Sequence, residues 1–168
     1  MGDQTTELTK EQHIKAIDAI ISSVKFAMLT TITADGHLHA CPMTTKQATL
    51  ADGKIWFIGH KQTETVADIE KRHQVNVAYG SKDKDYVSIN GTATLVNDQV
   101  KLDELWSELD GAFFAEGRDD PNVQLICVEI NGAQYWQSPN ALVGLFKMAT
   151  AVISDGTSDM GKTHSVQF

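Results

Sequence analysis

The stretch HLHACPM places His37, His39, Cys41 and Met43 at alternate positions, so on a β-strand all four side chains share one face. Imidazole, thiolate and thioether are soft or borderline metal ligands. Four ligands strung along one strand nevertheless span too far to close on a single ion, and the two histidines alone supply half a site. The stretch therefore reads as a partly exposed strand with incidental histidines and no metal, with haem ligation by one histidine as the alternative. Cys41 precedes Pro42 on that strand instead of opening a helix, and no G-x-S-x-G motif occurs, so nucleophilic catalysis finds no support. Asp119 and Asp120 in DDP read as a turn or cap in preference to paired acid–base groups.

A second stretch, WFIGHKQTETVADI, runs from an apolar strand through a polar turn into a helix start rich in hydroxyls. Unpaired backbone N–H groups point outward at such a start and favour an anion. The candidates here are Thr63 and Thr65, with Lys61 as the cation of the preceding turn. Phe113 and Phe114 beside Gly117, with Trp106, Tyr135 and Trp136, could line a flat aromatic ligand, although each alone reads as core or interface.

These residues must be held by regular elements, and the chain supplies them in order. Thr9 and Gln12 form a capping box, and Ile14, Ile17, Ile20 and Ile21 recur at helical spacing, which predicts a helix over residues 10–24. Three strand-like runs follow, separated by two ADG turns whose glycines suit a left-handed backbone, as in an antiparallel meander. Thr63 to Arg72 reads as a short helix with Val66 and Ile69 inward. QVNVAYGS and YVSINGTATLV are two further strands. Asp98 then opens a helix carrying Val100, Leu102, Leu105 and Trp106. VQLICVEI and AQYWQS read as a hairpin around Asn131-Gly132. Residues 139–168 begin with a short helix, NALVGLFKMAT, and end in a Ser/Gly/Thr-rich tail.

The pattern predicts a mainly β fold with flanking helices: six or seven short antiparallel strands in a small meander or Greek-key barrel. The expected division is a barrel domain with its N-terminal helix over 1–150 and a tail over 151–168, loose or packed on a partner. The 168 residues suffice for one sizeable core, and a formal net charge of −8 with Arg72 and Arg118 as the arginines argues against nucleic-acid binding. No apolar run approaches the ~20 residues of a membrane span. The polar N-terminus lacks the pattern of a signal peptide, and Cys41 and Cys127 fall in separate strands. A cytoplasmic setting is expected.

Taken in order, AMLTTITADGHLHACPMTTK, IWFIGHKQTETVADI, QVNVAYGSKDKDYVSINGTATLVND, ELW, the FF and EGRDDPN pieces, and YW resemble the general stress protein branch of the pyridoxamine 5'-phosphate oxidase-like split barrels. The resemblance covers about residues 10–150. It implies a six- or seven-stranded antiparallel split β-barrel that forms a homodimer and binds flavin mononucleotide (FMN) in clefts at the interface.

In that family an Arg and a Lys on the second barrel strand meet the flavin phosphate and ring. Here the resemblance puts Cys41 and Lys46 at those positions, with Pro42, Met43 and Thr44 between them. It assigns ligand contacts to Ile58 and Gly59 at the end of the third strand, and to Thr63 and Thr65 where relatives offer a Ser and a Lys. Glu64 sits where relatives carry a cation. The aromatic contacts fall on Trp106, Phe114 and Trp136, partly from the second subunit.

Two expected cations are thus replaced, leaving Lys61, Lys46 or His60 as substitutes and implying weakened flavin affinity. Any chemistry would be two-electron transfer by a flavin-dependent oxidoreductase. Oxidation of pyridoxamine phosphate itself is not expected, since a second phosphate needs a second cation cluster. Two alternatives stand beside this reading: a flavin-free scaffold or ligand-binding dimer, and a haem-handling split barrel using His37, His39 or His164.

Overall fold

The computed structural model describes residues 8–138 and 162–168. Six antiparallel strands close on themselves: β1 (Phe26–Ile32), β2 (Leu38–Thr49), β3 (Lys54–His60), β4 (Gln74–Gly80), β5 (Tyr86–Val96) and β6 (Val123–Gln137). The order is β3-β2-β1-β4-β5-β6, and pairing of β3 with β6 seals the barrel. A seventh strand, β7 (Lys162–Gln167), adds to the far half of β6. The helices are α1 (Lys10–Ser22), α2 (Glu64–Lys71) and α3 (Gln99–Leu105). No described helix is long and apolar enough to cross a membrane.

The elements follow from local chemistry. The Thr9–Gln12 capping box opens α1, whose Ile17, Ile20 and Ile21 enter the main core. The two ADG turns each place a glycine at positive φ, +90° at Gly36 and +67° at Gly53, where a side chain would clash with its own backbone. Inward residues alternate along the strands: Ala27 and Leu29 on β1, Ile55 and Phe57 on β3, Val75 and Val77 on β4, Val87 and Ile89 on β5. A smaller cluster, Leu102, Leu105, Phe114, Val123 and Leu125, covers the outer face of β6. The first half of β6 is therefore buried on both faces.

The hairpin expected at Asn131-Gly132 does not form. β6 runs unbroken through both residues, and neither has positive φ, which a tight two-residue turn of that type requires. Instead Gly91 pairs with Ile130 and Asn90 with Gly132, so Asn131 is the extra residue of a β-bulge. The bulge switches the inward residues from Ile126, Val128 and Ile130 to Ala133 and Tyr135, which keeps apolar groups in the core as the strand bends. Asn131 Nδ2 donates to Thr92 Oγ1 at 3.2 Å. On α3, Leu102 and Leu105 are buried, whereas Val100 stands 80% exposed.

The final residues of the C-terminal segment pair as β7 with β6 of the same chain. The short helix expected within NALVGLFKMAT lies outside the described residues, as does most of the 151–168 tail.

Candidate functional site

A cleft of about 410 Å³ opens where β2, the end of β3 and the start of α2 converge, within the 300–1,000 Å³ range of small-molecule sites. One wall is His39, Cys41, Pro42 and Met43 of β2; Gly59, His60 and Ile126 contribute the β3 and β6 side. Thr63, Glu64 and Thr65 close the helix end. A Cβ on Gly59 would stand 3.3 Å from Ile126 Cδ1 and 3.6 Å from Met43 Cε, so glycine keeps the apolar floor open.

The start of α2 is formed by its N-cap. Thr63 Oγ1 accepts from Val66 N at 3.4 Å and donates to His60 O at 2.8 Å. The next main-chain N–H groups, of Glu64 and Thr65, belong to the first turn and have no acceptor within the helix. Thr65 is 5% exposed, and its hydroxyl hydrogen-bonds Cys41 Sγ at 3.0 Å.

His39 is held between two carboxylates one helical turn apart. Its Nδ1 lies 3.4 Å from Asp68 Oδ2 and its Nε2 lies 3.7 Å from Glu64 Oε2. Asp68 is buried and accepts a 2.7 Å hydrogen bond from the Thr31 hydroxyl. His39 Nδ1 is itself buried and lacks a hydrogen-bond partner of good geometry. On the opposite side, Gln62 N donates to His60 Nδ1 at 3.2 Å, so the neutral ring carries its proton on Nε2. The His60 ring lies parallel to Phe114 at 5.8 Å between centroids, and Phe114 leads on to Trp106 at 5.7 Å.

The residues singled out in the sequence divide into two groups. Cys41, Pro42, Met43, Gly59, Thr63 and Thr65 meet in the cleft. Thr44, Lys46, Ile58, Lys61, Trp106, Phe114 and Trp136 lie outside its lining. Lys46 is the bulged residue of β2, between the Thr45–Phe57 and Gln47–Trp56 pairs. That position turns it to Asp110 Oδ2 at 2.6 Å and Ser107 Oγ at 3.1 Å, with both charged side chains nearly buried. Burial pushes the Asp110 carboxyl up, but the bonds from Lys46 and Ser107 outweigh it and hold the group below the usual carboxylate range.

Ile58 and Trp106 pack on the small apolar cluster that contains Phe114. Lys61 sits on the exposed turn, its N–H donating to Asn122 O. Trp136 lies beyond the bulge, opposite Tyr86 and Thr163. Of the haem candidates, His37 is exposed beside Asp35, and His164 stacks on Tyr135 at 5.0 Å. The described residues contain no group of three or more His, Cys, Asp or Glu able to hold a metal.

Sequence reasoning passed over Asp68 and Ile126. Ile126 reaches the cleft through β3–β6 pairing, which leaves no local signal. Asp68 was discoverable from its spacing, since residues four apart on a helix share a face with Glu64.

Three comparisons bear on this geometry. A family model described as "Pyridoxamine 5'-phosphate oxidase like" matches residues 12–159. The chain is 26% identical to Protein bli-3 of Neurospora crassa over 174 residues, covering 96% of this chain and 82% of that one. Among solved structures, a candidate general stress protein 26 from Jannaschia sp. CCS1 superposes with a TM-score of 0.73 at 25% identity, over 94% of this chain and 99% of the other. The general stress FMN/FAD binding protein of Xanthomonas citri gives a TM-score of 0.67 at 30% identity, over 79% and 93% of the two chains.

Proposed function

The chain belongs to the pyridoxamine 5'-phosphate oxidase like family, and from that premise we propose that it is a flavin-binding split-barrel protein of the general stress type, active as a homodimer. The observation that carries the reading is the convergence of β2, Gly59 and the start of α2 on one cleft with an open apolar floor. Met43, Gly59 and Ile126 suit the flat face of an isoalloxazine. The main-chain N–H groups of Glu64 and Thr65 suit the oxygen-rich tail, helped by the partial positive charge of about half a unit at a helix start. A bound flavin supplies two-electron transfer at its ring. The protein's residues bind it, orient it and exclude water.

The fit at the phosphate is poorer. A phosphate monoester carries nearly two negative charges and is normally met by charge-assisted hydrogen bonds. No Lys or Arg is among the described residues lining this cleft. FMN therefore binds, but weakly.

Support for a homodimer lies on the outer face of the barrel. Phe26, Met28 and Leu38 are 55%, 43% and 76% exposed on neighbouring strands, and Met28 pairs across to Pro42 of the cleft wall and Ala78 of β4. A second copy would cover this apolar strip and bring its own aromatic side chains toward the cleft. The free thiols Cys41 and Cys127 suit a reducing, cytoplasmic setting.

Titrating purified protein with FMN tests the reading. Added FMN should raise the melting temperature in a concentration-dependent way, as mass action requires. Absence of any shift at saturating flavin, or a Soret band in the protein as isolated, would overturn it. Sedimentation should give twice the monomer mass.

A further inference from the structure

Resting on the flavin reading above, we propose that the cleft does not select for the phosphate: its polar end takes an unphosphorylated, hydroxyl-terminated flavin of the riboflavin class at least as tightly as FMN. The groups that would distinguish the two tails are either spent or of the wrong sign. Thr63 Oγ1 accepts from Val66 N and donates to His60 O, so it has no proton left for a ligand oxygen. Thr65 Oγ1 is buried and engaged with Cys41 Sγ. Lys46 is held by Asp110 and Ser107, and Arg72 Nη2 donates to Ala34 O.

What remains at the helix end is the two main-chain N–H donors, the imidazoles of His39 and His60, and the Glu64 carboxylate, with no Lys or Arg among the described lining residues. The two N–H donors serve either oxygen, with a preference for the charged one that is set against the neighbouring Glu64 carboxylate. Glu64 separates them: its carboxylate accepts a hydrogen bond from a hydroxyl, whereas a dianionic phosphate offers it no proton and repels it. Glu64 Oε2 also lies 3.7 Å from His39 Nε2, and Asp68 stands behind the same imidazole. Any positive charge on His39 is thus matched by two carboxylates before a ligand arrives. The ring and the sugar-alcohol hydroxyls become the recognised features, and the terminal phosphate finds no Lys or Arg in the described lining to reward its charge.

The test titrates flavin-free protein with riboflavin and with FMN at neutral pH and fixed ionic strength, reading quenching of flavin fluorescence. The wild type should bind riboflavin as tightly as FMN or more tightly. Glu64→Lys should tighten FMN by about tenfold or more, the size of one charge-assisted contact, and weaken riboflavin severalfold, because its hydroxyl loses the carboxylate acceptor. Glu64→Gln should tighten FMN by a smaller factor. Glu64 is 67% exposed, so both variants should fold, and their thermal melts check this. A wild-type preference of tenfold or more for FMN would overturn the inference and leave the flavin reading standing. Unchanged FMN affinity in Glu64→Lys would remove Glu64 as the discriminating group and overturn it as well. If neither flavin binds, both the inference and the reading beneath it fall.

Discussion

Cys41 Sγ lies 3.0 Å from Thr65 Oγ1, so two positions at which the family resemblance expects cations hydrogen-bond to each other across the cleft wall. The substitutions are coupled in space: a small thiol on β2 and a small alcohol on α2 satisfy one another where an Arg and a Lys would have repelled. Thr65→Val should lose that bond with little change of shape and lower stability by about 1 kcal/mol in urea unfolding. Thr65→Lys should lower the melting temperature further, because the site is 5% exposed, while tightening FMN by about tenfold if the ammonium reaches the phosphate. Unchanged FMN affinity in that variant would place the phosphate elsewhere.

The Lys46–Asp110 pair gives a prediction that depends on pH. At neutral pH, Asp110→Asn leaves the nearly buried Lys46 ammonium short of its counter-ion and should cost about 2–4 kcal/mol. The folded Asp110 carboxyl titrates below its ordinary range, so its contribution is complete above the unfolded pKa of about 4 and is lost as pH falls through the folded value. Urea midpoints of wild type and Asp110→Asn should therefore converge as the pH is lowered below about 4. A gap of constant size would show that Asp110 does not stabilise the fold through its charge.

Tyr79 sets a limit on the alkaline side. Burial pushes its phenol up to about 12, against the opposing effect of the 2.9 Å hydrogen bond with Thr45. Between the ordinary phenol value near ~10 and that figure, the native state holds a proton that the unfolded chain has released, so stability declines as pH rises through this window. Tyr79→Phe should flatten the decline. Phenolate absorbance in the native wild type should show Tyr79 titrating late, as should Tyr135, whose phenol burial also pushes up, and Tyr79→Phe should remove the first of these contributions.

Gly91 should tolerate no side chain. A Cβ there would meet Glu129 O and Val128 Cγ1 at 2.6 Å each, and Glu129 O is main chain that cannot swing away. Gly91→Ala is expected to cost about 1–3 kcal/mol through overpacking, measured by chemical denaturation. A neutral outcome would mean that the bulge at Asn131 relaxes more readily than its pairing suggests.

Local chemistry made much of this fold legible. The capping box at Thr9, the helix starts at Thr63 and Asp98 and the two ADG turns are statements about four or five consecutive residues, and all appear where the sequence puts them. Asn131-Gly132 misled because the same dipeptide suits both a tight turn and a bulge. The choice between them is made by β5 and β3, which hold the flanking residues of β6 in one strand. The cleft divides the same way. Cys41, Met43, Thr63 and Thr65 fall within short motifs, whereas the loss of Lys46 to Asp110 is a contact across 64 positions and leaves no trace in either segment.

The double role of β6 bears on how the chain is made. It pairs with β5 on one side and with β3, then β7, on the other, yet it begins only at residue 123. A nascent polypeptide shorter than that holds a five-stranded curled sheet with raw edges at β3 and β5 and no way to seal them. Arrival of one late segment zips both margins at once, so closure should be a slow, long-range event, and the interval before it is when the growing protein is most prone to sticking to its neighbours.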